Sequence, residues 1–95
     1  MDIKVSTRYE GYQIQWKLGH CSSHGKYEDN KHYLHSCCLK PGEYTLECIN
    51  THKPHGWKKG HIEIQGHRYC DDFMAYTAMR RVLIIGMNVH KVGLR

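Results

Sequence analysis

Residues 37–73, CCLKPGEYTLECINTHKPHGWKKGHIEIQGHRYCDDF, constrain the fold more than any other part of the chain, because cysteines stand at both ends of a run rich in strand and turn signals. At Lys40-Pro41-Gly42-Glu43, proline presets φ at the second turn position and glycine tolerates a positive φ at the third, which predicts a tight turn. As the closing loop of a hairpin between strands 32–39 and 43–50, this turn sets Leu39 opposite Tyr44, Cys37 opposite Leu46 and His35 opposite Cys48. Side chains alternate along a strand, so the expected core face is Cys37, Leu39, Tyr44, Leu46 and Cys48. Cys38 is then outward, beside Thr45.

The remaining segments have the same character. Residues 2–7 can start a strand. In residues 11–18, Tyr12, Ile14, Trp16 and Leu18 alternate with Gln13, Gln15 and Lys17, which predicts a half-buried strand with Trp16 in the core. Residues 19–31 form a polar loop containing Cys21, and residues 50–60 break the pattern with Pro54, Gly56 and Gly60. Ile62 and Ile64 mark a further strand, with a turn expected at Gly66-His67 leading into 68–70. Residues 74–85 end in the apolar run 82–85, and Gly86-Met87-Asn88 separates them from a last strand at 89–92. Short strands with turns at regular intervals predict one domain over 1–95, an antiparallel β-sandwich of jelly-roll or CUB-like type, with helix competing only over 74–82.

A chain of 95 residues buries only roughly two thirds of its unfolded surface and gains from covalent restraint. Five cysteines allow two disulfides and leave one thiol over. Cys48, on the expected inner face, and Cys70, at a strand end, form the favoured bridge; closing a loop of roughly 23 residues contributes roughly 3 kcal/mol on chain entropy. Cys21 then pins its loop to Cys37 or to Cys38. An unused, outward Cys38 would be a handle for a disulfide-linked homodimer. The competing reading, a zinc site of Cys37 and Cys38 with His32 and His35, has poor spacing because adjacent cysteines on a strand point apart. Cysteine usage and seven tyrosines suit a secreted, extracellular domain, with Met1 read as the start of a mature form whose leader has been removed. The longest apolar run is strand-sized, so no membrane insertion is expected.

Fourteen Lys and Arg against nine Asp and Glu give a formal charge of +5, and nine histidines add to it below their usual pKa of about 6.5. Glycans or other polyanions are therefore the expected partners. The expected contact set is Trp57, either offering an aromatic face to a sugar or folding back as a cap on the core, with Lys53, His55, Lys58 and Lys59 around it. Histidines recur in the pairs His20/His24, His32/His35 and His52/His55, which supports a second reading as an extracellular assembly protein cross-linked by the odd cysteine and histidine-bound metal. No cofactor and no catalytic activity are expected: Asp71 and Asp72 diverge at a strand end, and Ser22-Ser23 near His24 lack an orienting acid. Nucleic acid is not an expected partner, because the basic residues are dispersed and no reading helix is present.

The block CCLxPGxYTLxC followed by GWxxGxIxIxGxxYCxDF, within residues 9–85, resembles small cysteine-containing β-sandwich modules of extracellular proteins marked by an Asp-Gly-Trp-Asn-Gly-Gly loop. That resemblance implies an extracellular, non-catalytic binding role. Here the loop reads His55-Gly56-Trp57-Lys58-Lys59-Gly60. His55 and Lys58 replace the acidic and asparagine positions, so the hard oxygen ligands of a calcium site are missing.

Overall fold

In a computed structural model that describes residues 1–85, the chain forms two packed, four-stranded antiparallel sheets. The strands are β1 (Asp2–Ser6), β2 (Ile14–Leu18), β3 (Cys21–Ser22), β4 (His32–Ser36), β5 (Gly42–Asn50), β6 (His61–Ile64), β7 (His67–Tyr69) and β8 (Thr77–Ile84). Their order is β4-β1-β6-β7 in one sheet and β3-β2-β5-β8 in the other. Only β2–β3 and β6–β7 are sequence neighbours paired directly; every other connection crosses between sheets. The expected antiparallel sandwich is therefore present. The strand expected at 89–92 lies outside the described residues.

Alternation decides what the two sheets enclose. Ile3, Val5, Ile62 and Ile64 from one sheet, and Ile14, Trp16, Leu18, Leu46, Val82 and Ile84 from the other, are all buried. Each such aliphatic side chain contributes about 1.5–3 kcal/mol on leaving water. Between the sheets, two disulfides act as staples. Cys48 of β5 bonds Cys70, just after β7, and Cys21 of β3 bonds Cys37, just after β4, so each bridge joins one sheet to the other. Cys37, not Cys38, is the partner of Cys21, and Cys38 is free and exposed.

The sequence-based register fails at the hairpin. β4 does not pair with β5: it pairs with β1, setting Ile3 opposite His35, while β5 pairs with β2 and β8. The physical reason lies in β1, whose two edges both need partners and find them in β4 and β6. Cys37 N–H continues that ladder by donating to the Met1 carbonyl at 2.9 Å, so residues 37–41 cross between sheets instead of turning back. Leu46 and Cys48 still face inward, because alternation is a property of β5 alone.

Two smaller corrections share a local cause. Residues 11–13 form a 3-10 turn, which buries Gln13 and leaves Tyr12 44% exposed, so strand alternation begins only at Ile14. The β6–β7 turn is Gln65-Gly66, both at positive φ, one residue before the expected site; paired positive φ values match the right-handed twist of the strands it joins. Residues 77–84 are a strand, as expected over the competing helix, held by an eight-residue register against β5.

Candidate functional site

The segment between β5 and β6 is built on a buried asparagine. Asn50 accepts the backbone N–H groups of His52 (2.9 Å) and Lys53 (2.8 Å) on its side-chain oxygen and donates its amide to the Gly56 carbonyl (2.7 Å). One side chain thereby satisfies both ends of the turn, the local bonding for which asparagine is favoured at such positions. From outside the loop, Gly56 N–H donates to Ala75 O and Thr51 N–H to Gln13 O. Gly56 sits at φ 64°, and a Cβ there would fall 1.8 Å from the Phe73 carbonyl oxygen, so only glycine fits.

Trp57 closes the arrangement from inside. Its indole is 2% exposed, donates Nε1–H to the Ile49 carbonyl at 2.9 Å and meets the Phe73 ring edge-on at 5.9 Å. It offers no face to a ligand. A bulky indole gains more by filling the end of the sandwich than by standing in water, and its single polar atom finds a partner there. The expected aromatic contact is thus replaced by an anchor.

What the anchor holds out is charge. Lys53, Lys58 and Lys59 are exposed and His55 is half-buried. Lys58 and Lys59 occupy left-handed backbone, at φ 44° and 72°. For a residue with a Cβ this costs roughly 1–2 kcal/mol. Lys58 pairs with Glu10 at 2.7 Å; that ammonium group first, and then the charges of Lys53 and His55, hold the Glu10 carboxyl below its usual range. Lys53 and Lys59 have no ion pair among the described residues. An open groove of about 430 Å³ is lined by His55, Lys58 and Lys59 together with Asp71, Asp72 and Met74. The groove therefore carries charge of both signs, and Asp71 and Asp72 oppose an anion that the lysines attract.

Neither Glu10 nor Asn50 was singled out by sequence. Asn50 carried a signal, an asparagine directly before Thr-His-Lys at a strand end; Glu10 carried none, because its partner is 48 residues away.

The histidines divide. His32 and His35 lie on opposite faces of β4 and Cys37 is oxidised, which dismantles the zinc reading. Among the described residues no group of three or more His, Cys, Asp or Glu side chains is placed to hold a metal. His35 instead ends a buried chain: Trp16 Nε1–H donates to the Tyr27 hydroxyl (2.9 Å), and that oxygen lies 2.8 Å from His35 Nε2. Indole only donates, so the phenol oxygen accepts from Trp16; it keeps a second lone pair as well as its own proton, and which partner donates in the bond to His35 follows the tautomer of that ring. Burial, and then the nearby His24, lower the His35 pKa; burial above all raises that of Tyr27. The unfolded chain therefore binds more protons than the native one below about pH 6.5. The His35 contribution to stability is complete above that pH and is lost as pH falls through it towards the native pKa. The expected result is an NMR midpoint for His35 below about 6.5 and a melting temperature that falls on acidification, less so in His35→Gln. A midpoint at or above about 6.5 would contradict burial of a neutral His35 ring.

With this geometry in hand, the comparisons add no relative: the chain matches no family model, and no curated protein and no solved structure is significantly similar to it.

Proposed function

We propose that the protein is a secreted, non-catalytic module that binds an anionic glycan, or a polyanion of like charge, through Lys53, Lys58 and Lys59 of the loop between β5 and β6. Two disulfides in so small a domain are consistent with an extracellular location. No helix among the described residues is long and apolar enough to cross a membrane.

One observation carries the reading. Lys58 and Lys59 stand side by side in left-handed backbone, where glycine would be the cheaper residue. Strain of this kind persists where the surroundings enforce it and concentrates at binding sites. Here the turn around Lys58-Lys59 is closed by Gly60 N–H donating to the Trp57 carbonyl at 2.8 Å, and the two ammonium groups are what it displays.

The test separates charge from fold. Lys58→Glu with Lys59→Glu is expected to shift elution from a heparin column to markedly lower salt, since such attraction is screened within about 10 Å at 0.1 M. Lys59→Gly is expected to weaken retention while leaving the melting temperature unchanged or raised by a few degrees. Retention that neither variant alters removes the proposal.

Cys38, exposed and unpaired, favours the second reading of assembly through an intermolecular disulfide. A band of doubled mass on a non-reducing gel, absent in Cys38→Ser, is its expected sign; a monomer under mild oxidation excludes it.

A further inference from the structure

The outer face of the β4-β1-β6-β7 sheet carries a second polar group that the loop does not use. Register arranges it in two rows. Leu34, Lys4, Glu63 and Arg68 stand in line across the four strands, and one step along β1, His32, Ser6 and His61 stand in line across three. Both rows share a face because positions 4 and 6 alternate with the buried Ile3 and Val5. Together they border an open groove of about 500 Å³.

The charges in this groove are unspent. Neither Lys4 nor Arg68 forms an ion pair among the described residues, although Glu63 lies between them in register. Ser6 Oγ holds the His32 ring through Nδ1 at 2.8 Å. Two fixed cations thus face one carboxylate, and two imidazoles beside them add positive charge on protonation. His61 is flanked by groups of both signs: Arg68 and His32 oppose its protonation, while Asp71 and Glu63 favour it. Burial is the largest influence and, with Arg68, holds it below the ordinary imidazole range.

The geometry points to a second oxyanion site, for a sulfate or phosphate group, held by Lys4 and Arg68, bordered by the His32 ring and completed when His61 takes up a proton. An oxyanion placed among these side chains offsets the repulsion of Arg68 and His32 towards His61, so binding draws in protons and acid strengthens binding by the same linkage. The surrounding charges are Lys4 of β1, His32 of β4, Glu63 of β6, Arg68 of β7 and Asp71 beyond it. This site stands independently of the loop reading, since it uses none of Lys53, Lys58 or Lys59.

Calorimetric titration of the whole protein tests it, with sodium sulfate and with a heparin-derived hexasaccharide, at about pH 7.5 and about pH 5.5. Sulfate is expected to bind more tightly at the lower pH, roughly ten-fold for each histidine whose pKa the anion raises by one unit. Lys58→Glu with Lys59→Glu should leave sulfate affinity intact, whereas His61→Gln with Arg68→Gln should lower it at least ten-fold and Glu63→Gln should raise it. Binding by sulfate alone assigns a free ion; tighter binding by the hexasaccharide, sensitive to Arg68→Gln, assigns a polymer-borne group. Histidine ring resonances of the unmodified protein supply a readout free of substitution: the His61 midpoint should rise with sulfate. Equal affinity at the two pH values, indifference to His61→Gln with Arg68→Gln, or a static His61 midpoint overturns the site.

Discussion

Trp57→Ala is expected to lower the melting temperature by roughly 12 °C or more. Removing a buried tryptophan costs about 3–5 kcal/mol, and in a domain of this size each kcal/mol is worth about 4–8 °C. The loss has two parts. The ring fills the space against Phe73 at the end of the sandwich, and its Nε1–H is the partner of the Ile49 carbonyl. Trp57→Phe separates them: most of the apolar contact returns, but the indole bond to the Ile49 carbonyl, whose residue also pairs with Gln15 in the β2–β5 ladder, is lost, a penalty of about 0.5–1.5 kcal/mol. Calorimetry should therefore rank parent above Trp57→Phe above Trp57→Ala. The opposite pattern, unchanged stability in Trp57→Ala with loss of saccharide binding, would mean that the ring meets ligand in solution and that the anchored loop is wrong.

That contrast marks where sequence stopped being informative. Gly-Trp flanked by lysines reads the same whether the indole faces a sugar or the core, because what decides it is the Phe73 ring and the Ile49 carbonyl, contributed by other segments. Segments whose information is internal were legible: the alternation of Ile14, Trp16 and Leu18, or of Ile62 and Ile64, needs no partner to be read. The Cys48–Cys70 bridge was legible for the same reason, through the face of Cys48 and the strand-end position of Cys70. Pairing was not. Pro41-Gly42 carries turn chemistry that serves a hairpin or a crossing between sheets equally well, and the choice was made by β1, some thirty residues upstream in the β4 register. The cationic face of the first sheet was illegible too, because Lys4, His32, His61 and Arg68 become neighbours only through that pairing.

Cys48→Ala with Cys70→Ala is the other large effect to expect. Chain entropy alone accounts for roughly 3 kcal/mol, and native bridges in small domains typically cost 2–5 kcal/mol on removal, so the melting temperature should fall by about 8–40 °C. The Cys21–Cys37 bridge, removed by Cys21→Ala with Cys37→Ala, closes a loop of similar length, with a sequence separation of 16 against 22, so its entropic contribution is nearly the same. Burial distinguishes the two. Cys48 and Cys70 are 0% and 2% exposed, whereas Cys21 is only half-buried at the sheet edge although Cys37 is 4% exposed, so a thiolate reaches the Cys21 sulfur first. Graded dithiothreitol followed by alkylation and peptide mapping should show Cys21 and Cys37 labelled while Cys48–Cys70 persists. The measurement belongs in a Cys38→Ser background, because the exposed Cys38 thiol adjoins Cys37 and is itself a competent attacker on that bridge. Labelling of Cys48 and Cys70 before Cys21 would show that the inner staple opens to solvent, which the packing of Leu46, Trp16 and Val82 in the same core forbids while the two sheets remain closed.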